Sequence, residues 1–413
     1  MLTALSSPEF VVVGAGIAGL TAAKILSENN KEVLLVEKSN SVGGRVKTDM
    51  YEGFLLDHGF QVLLTAYPEV HNQLDLSSLN LKTFEPGATI FKNGTFSLIG
   101  DPFRNFSSIA PTIFTRTITF TDKIKLLQLR YELMKEKNFY TNRKDDQRII
   151  ETLGKFGFST KAIDSFFKPL IGGIQLDPEL NGSARLSLLI LKMLFLGDAA
   201  VPERGMGAIS QQLLRKVGEN NVLLNASVEK IEGKKIFISE GESFSPSNLI
   251  IATENPAAAK LFGNEITPSK SVSCVYFSAP EAPTESRAIL LDGENGGPGL
   301  NVAIMTNVSS SYSSTNEALI AVAIPGQLVC DSTEPVVTQM KKWFGDMVDD
   351  WKHLKTFSIE HGQPALRPKD SFRKEIKISD GVFMCGDHRD TPSIQGAMVS
   401  GRRTAELCLK QQI

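Results

Sequence analysis

Three glycines and one glutamate near the amino terminus have the types and spacing of a dinucleotide-binding site. Gly14, Gly16 and Gly19 form a G-x-G-x-x-G pattern, and Glu37 follows them. Such glycines allow a tight turn, a close approach of backbone to a pyrophosphate, and close packing of a helix on a strand. The acid accepts hydrogen bonds from ribose hydroxyls and repels a 2′-phosphate, so NADP is disfavoured at this site.

The elements that must position these residues are a strand, a helix and a second strand. Phe10–Val13 and Val33–Val36 are apolar runs of strand composition, and residues 20–27 have an amphipathic helical pattern. Together they predict a βαβ unit whose acid is in the expected place. The helix then begins at the glycines, where its free N–H groups and partial positive charge favour a phosphate. This unit could bind NAD or FAD.

A second glycine-bearing stretch follows the second strand. Gly43 and Gly44 precede Arg45, an arrangement that a plain βαβ crossover does not need. It fits a chain that folds closely over a bound cofactor and places a guanidinium on its phosphates.

The carboxyl-terminal region carries the other strong signal. Residues 382–385 read as a buried strand, followed by Gly386, Asp387 and a helix that begins near Ser393. Asp387 at a strand end can hold sugar hydroxyls. The N–H groups near Ile394 direct the helix dipole at any negative charge that develops there.

Composition excludes several other classes of protein. The 413 residues carry a net charge of -2, so nothing global indicates nucleic-acid binding. Length alone allows two domains with a large core. The first ten residues lack the pattern of a signal peptide, and we expect a cytoplasmic location, with membrane association left open. The four cysteines lack metal-binding spacing and are expected to be reduced thiols; they are Cys274, Cys330, Cys385 and Cys408.

Several helices are predicted outside the glycine-rich regions, and three of them carry specific expectations. Residues 122–137 have helical periodicity with Asp122 as the expected N-cap. Residues 336–351 predict an amphipathic helix carrying Trp343 and Trp351 as packing anchors. Residues 186–196 are the most apolar stretch but too short to span a bilayer. They predict a buried helix; alternatively, the helix lines a lipophilic cavity or dips into one leaflet.

The two ends of the chain together resemble the superfamily of FAD-dependent amine oxidases, phytoene desaturases and protoporphyrinogen oxidases. The similarity is strong over VVVGAGIAGLTAAKIL and VLLVEKSNSVGGRV at the start and over GVFMCGDHRDTPSIQGAMVSGRRTAE at the end. It is weaker in between. The resemblance implies FAD as the cofactor and hydride removal from the substrate to flavin N5. It implies no metal and names no catalytic residue.

The resemblance also implies which residues hold FAD. The expected cofactor-binding residues are Gly14, Ala15, Gly16, Ala18, Gly19, Glu37, Lys38, Gly44, Arg45, Val228, Gly386, Asp387 and Ile394.

The implied fold class is α/β, with a three-layer Rossmann-like FAD-binding domain and an inserted α+β substrate domain. The FAD-binding domain is expected at residues 1–75, 201–255 and 355–413. The substrate domain is expected at residues 76–200, which are helical, and 256–354, which are strand-rich.

The branch of the superfamily is a separate question. In amine oxidases the motif just before the last helix resembles G-Y-M-E-G-A. This chain instead has Ser393 at the position of the aromatic residue and Gln395 at the position of the glutamate. A cationic amine also calls for acids or an aromatic cage. We therefore expect a large, apolar small-molecule substrate, as for a carotenoid or isoprenoid desaturase or a protoporphyrinogen oxidase. The alternatives are C–N oxidation of an amine and a non-catalytic FAD-binding escort protein. Peripheral membrane contact is a further expectation, and the oligomeric state stays open.

Overall fold

The structure is a computed structural model that describes residues 8–137, 139, 146–239, 241–263, 266–328 and 332–411. The strands of the first half are β1 (Phe10–Val13), β2 (Val33–Val36), β3 (Thr48–Tyr51), β4 (Phe54–Asp57), β5 (Leu63–Leu64), β6 (Leu81–Thr83), β7 (Gly87–Lys92), β8 (Thr95–Gly100) and β9 (Ala199–Pro202). Those of the second half are β10 (Val222–Leu223), β11 (Val228–Glu232), β12 (Lys235–Ile238), β13 (Ser243–Phe244), β14 (Asn248–Ile251), β15 (Ser269–Ala279), β16 (Ile289–Asp292), β17 (Asn301–Ile304), β18 (Ala318–Pro325), β19 (Lys352–Pro364), β20 (Lys377–Ser379) and β21 (Val382–Met384).

The α-helices of the first half are α1 (Ile17–Glu28), α2 (Pro68–Gln73), α3 (Leu76–Leu79), α4 (Ile109–Phe114), α5 (Phe120–Lys135), α6 (Ile149–Phe156), α7 (Thr160–Ala162), α8 (Gly173–Gln175) and α9 (Ala184–Leu196). Those of the second half are α10 (Gly207–Val217), α11 (Asn255–Phe262), α12 (Met305–Val308), α13 (Glu334–Phe344) and α14 (Ile394–Lys410). A π-helix, Ile163–Gly172, joins α7 to α8. The 3₁₀ turns are Phe106–Ser108, Glu219–Asn221, Ser310–Tyr312, Gly345–Asp350 and Asp387–Arg389.

A six-stranded sheet brings distant parts of the chain together. Its strand order is β10-β2-β1-β14-β21-β20. All neighbours pair in parallel except the edge strand β20, which runs antiparallel to β21. Parallel strands buried on both faces read as continuous apolar runs, which is why β1 and β2 stand out in the sequence.

Both faces of this sheet are covered, so the unit has three layers. Alternate residues such as Val12 and Leu35 pack on the side of α1 and α14. Their neighbours Val11 and Leu34 pack against Ile236 of the small antiparallel sheet β11-β12-β13. The three-layer α/β architecture expected from the sequence is confirmed.

A second, seven-stranded sheet has the order β19-β15-β18-β17-β16-β7-β8. Its pairs are antiparallel except for β16 and β7, which are parallel. One face packs against α13, and the other joins the large core that also contains α5, α6 and α9. The structure also contains two smaller sheets, β3-β4 and β5-β9-β6. In the sequence, their strands lie between strands of the two larger sheets.

Two expectations about helix ends were wrong. The N-cap of α5 is Thr119 rather than Asp122; Asp122 is the third residue of the helix and completes a capping box with Thr119. Helix α13 ends at Phe344, so Trp351 lies beyond it, although both tryptophans pack against Phe344 as expected of anchors.

The most apolar stretch forms α9 as a buried helix. Eight of its residues are buried, and Leu196 at its end is exposed. Most of the helix is therefore enclosed by protein, as the buried-helix interpretation predicts. Its residues Ile190, Leu191 and Leu194 line a large internal cavity.

Two strands cross the expected domain boundaries. Strand β9 spans the boundary at residue 201 and pairs with β5 and β6, and β19 spans the boundary at 355 within the seven-stranded sheet. We propose that the two interleaved units are the ones expected, with the last boundary placed after Pro364.

The described cysteines are buried thiols. Cys274, Cys385 and Cys408 are free and buried, and burial raises the pKa of Cys274 and Cys408 to about 12; Cys330 lies outside the described residues. Among the helices of the described ranges, none combines the length and the hydropathy needed to cross a bilayer.

Candidate cofactor site

Four neighbouring parallel strands end at one edge of the six-stranded sheet. Gly14 follows β1, Glu37 follows β2, Ala252 follows β14, and Gly386 lies just beyond β21. All four residues line one cavity of about 1430 Å³. Ligands of open α/β sheets bind outside the carboxyl ends of the strands, so this edge is the candidate site.

Each of the three glycines in the first loop has a different structural explanation. Gly14 has φ of 103° and lies so close to Ala252 that a Cβ would be 3.0 Å from its carbonyl oxygen. A Cβ on Gly19 would lie 2.0 Å from the carbonyl oxygen of Gly14, so this glycine lets α1 pack on the loop. A Cβ on Gly16, which lines the cavity, would meet no atom within 4 Å. Only Gly16 is therefore left open for a ligand.

The first turn of α1 is prepared for an anion. Gly16 is its N-cap, and in the described part of the chain no side chain caps the turn. No acidic residue occurs in the turn either. The orphan N–H groups at such an end attract a phosphate, because they donate hydrogen bonds and carry partial positive charge. The residues therefore fit a dinucleotide pyrophosphate.

Glu37 is held in a defined orientation by its own chain. Its Oε2 accepts a hydrogen bond of 2.8 Å from the backbone N–H of Ala15. Its Oε1 accepts from the N–H of Ser39 at 2.9 Å and from the Ser39 hydroxyl at 2.8 Å. A carboxylate oxygen can accept more than one bond, so Glu37 keeps capacity for a ribose hydroxyl. Lys38, next in the chain, also lines the cavity.

Arg45 joins the beginning of the chain to its end. Its guanidinium donates to the carbonyl oxygen of Gly362 at 2.6 Å and to Oδ2 of Asp387 at 2.8 Å. The N–H of Gly43 donates to the carbonyl oxygen of Ala15 at 2.8 Å, which folds this stretch over the first loop. Arg45 and Asp387, both expected to contact the cofactor, form an ion pair with each other in the cavity wall.

A buried, neutral histidine explains why residue 386 is a glycine. His388 is buried, and desolvation lowers its pKa to about 4, against the opposing effect of Asp387. A Cβ on Gly386 would lie 2.5 Å from the His388 ring, and Gly386 has φ of 146°. Both constraints require glycine at this position. The imidazole therefore shapes the wall without carrying charge.

A buried carboxylate supports another part of the cavity wall. Asp57 accepts hydrogen bonds from the Thr48 hydroxyl at 2.5 Å, the Met206 N–H at 2.8 Å and the Tyr312 hydroxyl at 2.7 Å. Desolvation raises the pKa of Asp57 to about 6, although these three bonds oppose the rise. The next residue, His58, lines the cavity, so Asp57 fixes the chain at that point.

The structure brings most of the expected residues together. The residues that line the common cavity are Gly14, Gly16, Ala18, Glu37, Lys38, Gly44, Arg45, Val228, Gly386, Asp387 and Ile394. Ala15 and Gly19 do not line it; they act through the hydrogen bond to Glu37 and the close packing of α1.

Sequence reasoning missed other residues of this wall. The missed residues include Ser39, Ala226, Ala252, Thr253, Glu254, Gly362 and Gln363. The rule for strand ends could have found residues 252–254, because they follow β14, the neighbour of β1 in the sheet.

The cavity extends away from the sheet edge into an apolar region. Its walls there come from the π-helix, α9, α5 and the loop after β8, and they include Phe166, Phe167, Ile190, Leu191 and Leu194. This region can hold an apolar molecule beside a cofactor at the sheet edge.

The family comparison agrees with this geometry. The model of the family described as flavin containing amine oxidoreductase matches residues 17–409. The chain belongs to this family. FAD is accordingly its cofactor, in agreement with the expectation from the sequence.

Curated relatives cover more than one branch of this chemistry. The chain is 26% identical over 176 residues to protoporphyrinogen oxidase 2 of Arabidopsis thaliana, covering 42% of this chain and 33% of the relative. It is 24% identical over 294 residues to the 15-cis-phytoene desaturase of an Oncidium hybrid cultivar, covering 64% and 49%. These matches thus span half or less of each relative's length.

Solved structures show the same fold. Cyclohexylamine oxidase from Brevibacterium oxydans superposes with a TM-score of 0.75 at 16% identity. The match covers 98% of this chain and 100% of that one, so the likeness extends over both sheets. At this identity it shows the fold alone.

Proposed function

We propose that this protein is an FAD-dependent oxidoreductase that removes a hydride from a large apolar substrate, of the polyene, isoprenoid or reduced tetrapyrrole type. The observation that carries the proposal is the cavity of about 1430 Å³, which runs from the sheet edge into an apolar region. Ligand pockets usually measure about 300–1,000 Å³, so this cavity is large enough for a dinucleotide cofactor and a second molecule.

The residues that would hold the cofactor have separate tasks. The first turn of α1 and Gly16 would bind the pyrophosphate, and Glu37 would bind the adenosine ribose. Val228 would contact the adenine, while Asp387 and the start of α14 near Ile394 would face the ribityl chain and the flavin. FAD supplies the hydride-accepting chemistry when it is bound.

The chain itself then needs to orient the substrate and exclude water. The apolar walls from α9 and the π-helix would do both, since they offer shape and no competing hydrogen bonds. Ser393, at the position where amine oxidases carry an aromatic residue, serves as the N-cap of α14 by accepting from the N–H of Gly396 at 3.0 Å. It leaves no aromatic ring at that point of the wall.

The charges of the outer cavity do not favour an amine. Asp101 forms an ion pair with Arg130, and Glu85 accepts a hydrogen bond from Asn105. Lys123 lines the same region. Of the two carboxylates that line this region of the described chain, only Glu85 lacks an ion pair, so a cationic amine would find one free acid beside Lys123 and Arg130. This balance of charge does not favour C–N oxidation.

The test is flavin reduction in the absence of oxygen, because it needs no electron acceptor. The holoprotein is mixed with phytoene, with protoporphyrinogen or with cyclohexylamine, and bleaching of the flavin absorbance is followed. We expect bleaching with one of the first two substrates. Bleaching with the amine alone would refute the substrate class. Protein that binds FAD but stays oxidised with all three, while dithionite still reduces it, would indicate the escort-type alternative.

Two leucines of α9 provide a matched pair of variants. Leu194 lines the cavity and Leu188 does not, although both are half-buried. Leu194→Gln should slow reduction by the apolar substrate by about 10-fold, since it places a polar amide in the apolar wall. Leu188→Gln should leave the rate unchanged. Equal effects of the two substitutions would argue against the cavity as the substrate site.

A further inference from the structure

The region between β8 and the end of α5 exposes large apolar side chains. Of the 16 exposed large apolar residues in the described chain, nine fall within residues 103–131. We call this surface the apolar patch; its members are Phe103, Phe106, Ile109, Ile113, Phe114, Phe120, Ile124, Leu127 and Tyr131. Soluble surfaces expose single apolar residues, but a cluster of this kind marks an interaction site.

Helix α4 shows that the patch lacks a partner within the described protein. None of its six residues is buried, and its sequence is IAPTIF. Phe114 at its end is 80% exposed, and Phe106 in the preceding turn is 78% exposed. A helix with apolar residues that bury none of them is stable only when something else covers it.

Polar contacts hold the patch together as one surface. The ammonium of Lys123 on α5 donates to the carbonyl oxygens of Ile113 at 2.6 Å and Thr115 at 2.7 Å, which joins α5 to the end of α4. The guanidinium of Arg130 lies 4.6 Å from the ring centre of Phe103. The patch is therefore continuous from the loop after β8 to the middle of α5.

The charges in and around the patch are mostly positive. Arg116, Lys123 and Lys125 lie within it, and Lys161 donates to the carbonyl oxygen of Arg116. No carboxylate in the described ranges forms an ion pair with these four residues, whereas Arg104 and Arg130 are paired with Asp198 and Asp101. Helix α5 carries two acids: Asp122 is buried, and Glu132 is exposed in the last turn, beyond the lysines of the patch. Uncompensated cations beside exposed phenylalanines favour a surface that is both apolar and anionic.

The cavity opens through the same surface. Six members of the patch also line the cavity, and they are Phe103, Ile109, Ile113, Phe120, Ile124 and Leu127. These side chains are exposed on one side and face the cavity on the other. A molecule leaving an apolar layer at the patch could enter the cavity without crossing water.

We propose that the apolar patch docks the protein on an anionic lipid bilayer and opens the cavity to it. The phenylalanines of α4 and the turn before it enter the acyl region, and the unpaired lysines and arginine lie at the lipid phosphates. Docking rests on the exposed surface alone. The route from the bilayer into the cavity rests on the proposed function.

The test is co-sedimentation of the FAD-loaded protein with lipid vesicles. Vesicles of phosphatidylcholine are compared with vesicles of phosphatidylcholine and phosphatidylglycerol in equal amounts. We expect binding to the mixed vesicles, at least about 10-fold weaker binding to the neutral ones, and weakening by salt. Absence of binding to both kinds of vesicle by the wild-type protein would overturn the proposal.

Variants locate the binding surface. Phe106→Ser with Phe114→Ser removes two exposed rings that do not line the cavity and should weaken binding by about 10-fold to 100-fold. The control is Met50→Ser with Ile266→Ser, two residues that are 67% and 61% exposed elsewhere. Equal binding of both double variants and the wild type would overturn the assignment of the patch. FAD content and circular dichroism check that each variant is folded.

A second copy of the chain is the competing occupant. Sedimentation equilibrium would then show a dimer that the double substitution Phe106→Ser with Phe114→Ser dissociates, and vesicles would not compete with dimer formation. In that case the patch is an interface between copies and the proposal fails. Vesicle binding is measured without turnover. Its failure would leave the substrate class untouched, and failure of the flavin-reduction test would leave docking untouched.

Discussion

Replacing Gly16 by valine separates cofactor binding from folding. The backbone at Gly16 has φ of −74° and ψ of 179°, an extended conformation that valine adopts readily. A Cβ at this position would meet no protein atom within 4 Å, so it would point into open space. The apoprotein should therefore fold. The valine side chain would occupy the space next to the first turn of α1, where the pyrophosphate lies in the proposed complex.

The magnitude follows from overpacking. Forcing extra methyl groups against a tightly fitted neighbour costs about 1–3 kcal/mol, which corresponds to a loss of roughly 5-fold to 150-fold in FAD affinity. The assay is titration of apoprotein with FAD, followed by flavin fluorescence. A melting curve of the apoprotein provides the independent check on folding.

Gly19→Ala is the matched control. A Cβ at Gly19 would lie 2.0 Å from the carbonyl oxygen of Gly14, so α1 would have to move away from the loop. We expect this smaller substitution to lower the melting temperature of the apoprotein more than Gly16→Val does. Unchanged FAD affinity in Gly16→Val would refute the placement of the pyrophosphate. A large loss of apoprotein stability in Gly16→Val would refute the argument from open space.

Two further outcomes are expected. Glu37→Gln should weaken FAD binding by about 1–2 kcal/mol, because it removes a charge-assisted hydrogen bond to the ribose; an unchanged dissociation constant in the same titration would contradict this role. Asp57→Asn tests the buried carboxylate by its pH dependence. The folded-state pKa of Asp57 is raised from 3.8 to about 6, so the stability linked to its proton is present below pH 3.8 and is lost as the pH rises to about 6. The free energy of unfolding of the wild type, measured against that of Asp57→Asn, should therefore increase by roughly 2 kcal/mol when the pH is lowered from 7 to 4. A difference that does not vary with pH would show that Asp57 is not protonated in the folded protein.

Local signals carried most of what the sequence could predict. The unit from β1 to Glu37 was predicted correctly because its turn, helix and strands depend on neighbouring residues. The start of α5 was placed three residues late, because Thr119 and Asp122 are both capping residue types and take part in the same reciprocal box. Sequence alone does not say which one begins the helix.

Contacts between distant residues were beyond prediction. The partners of Arg45 are Gly362 and Asp387, and nothing in the local sequence of Arg45 points to them. Helix α9 was ambiguous because an apolar stretch suits a core, a cavity wall or a lipid, and only the surrounding helices show which one applies. The apolar patch was missed for the converse reason: the periodicity of α5 reads as a core-facing helix, although Ile124 and Leu127 are exposed.

The pairing of β14 with β21 has a consequence for biosynthesis. A nascent chain that has reached residue 370 already contains β1, β2 and β14, but β14 still presents a bare edge, and Arg45 lacks its carboxylate partner. Chains are synthesised from the amino terminus, so the wall around Gly386 can close only after nearly the whole polypeptide has left the ribosome. Until then the exposed edge of β14 is open to pairing with another chain. FAD loading is therefore a late event, and the edge of β14 needs protection until β21 has been synthesised.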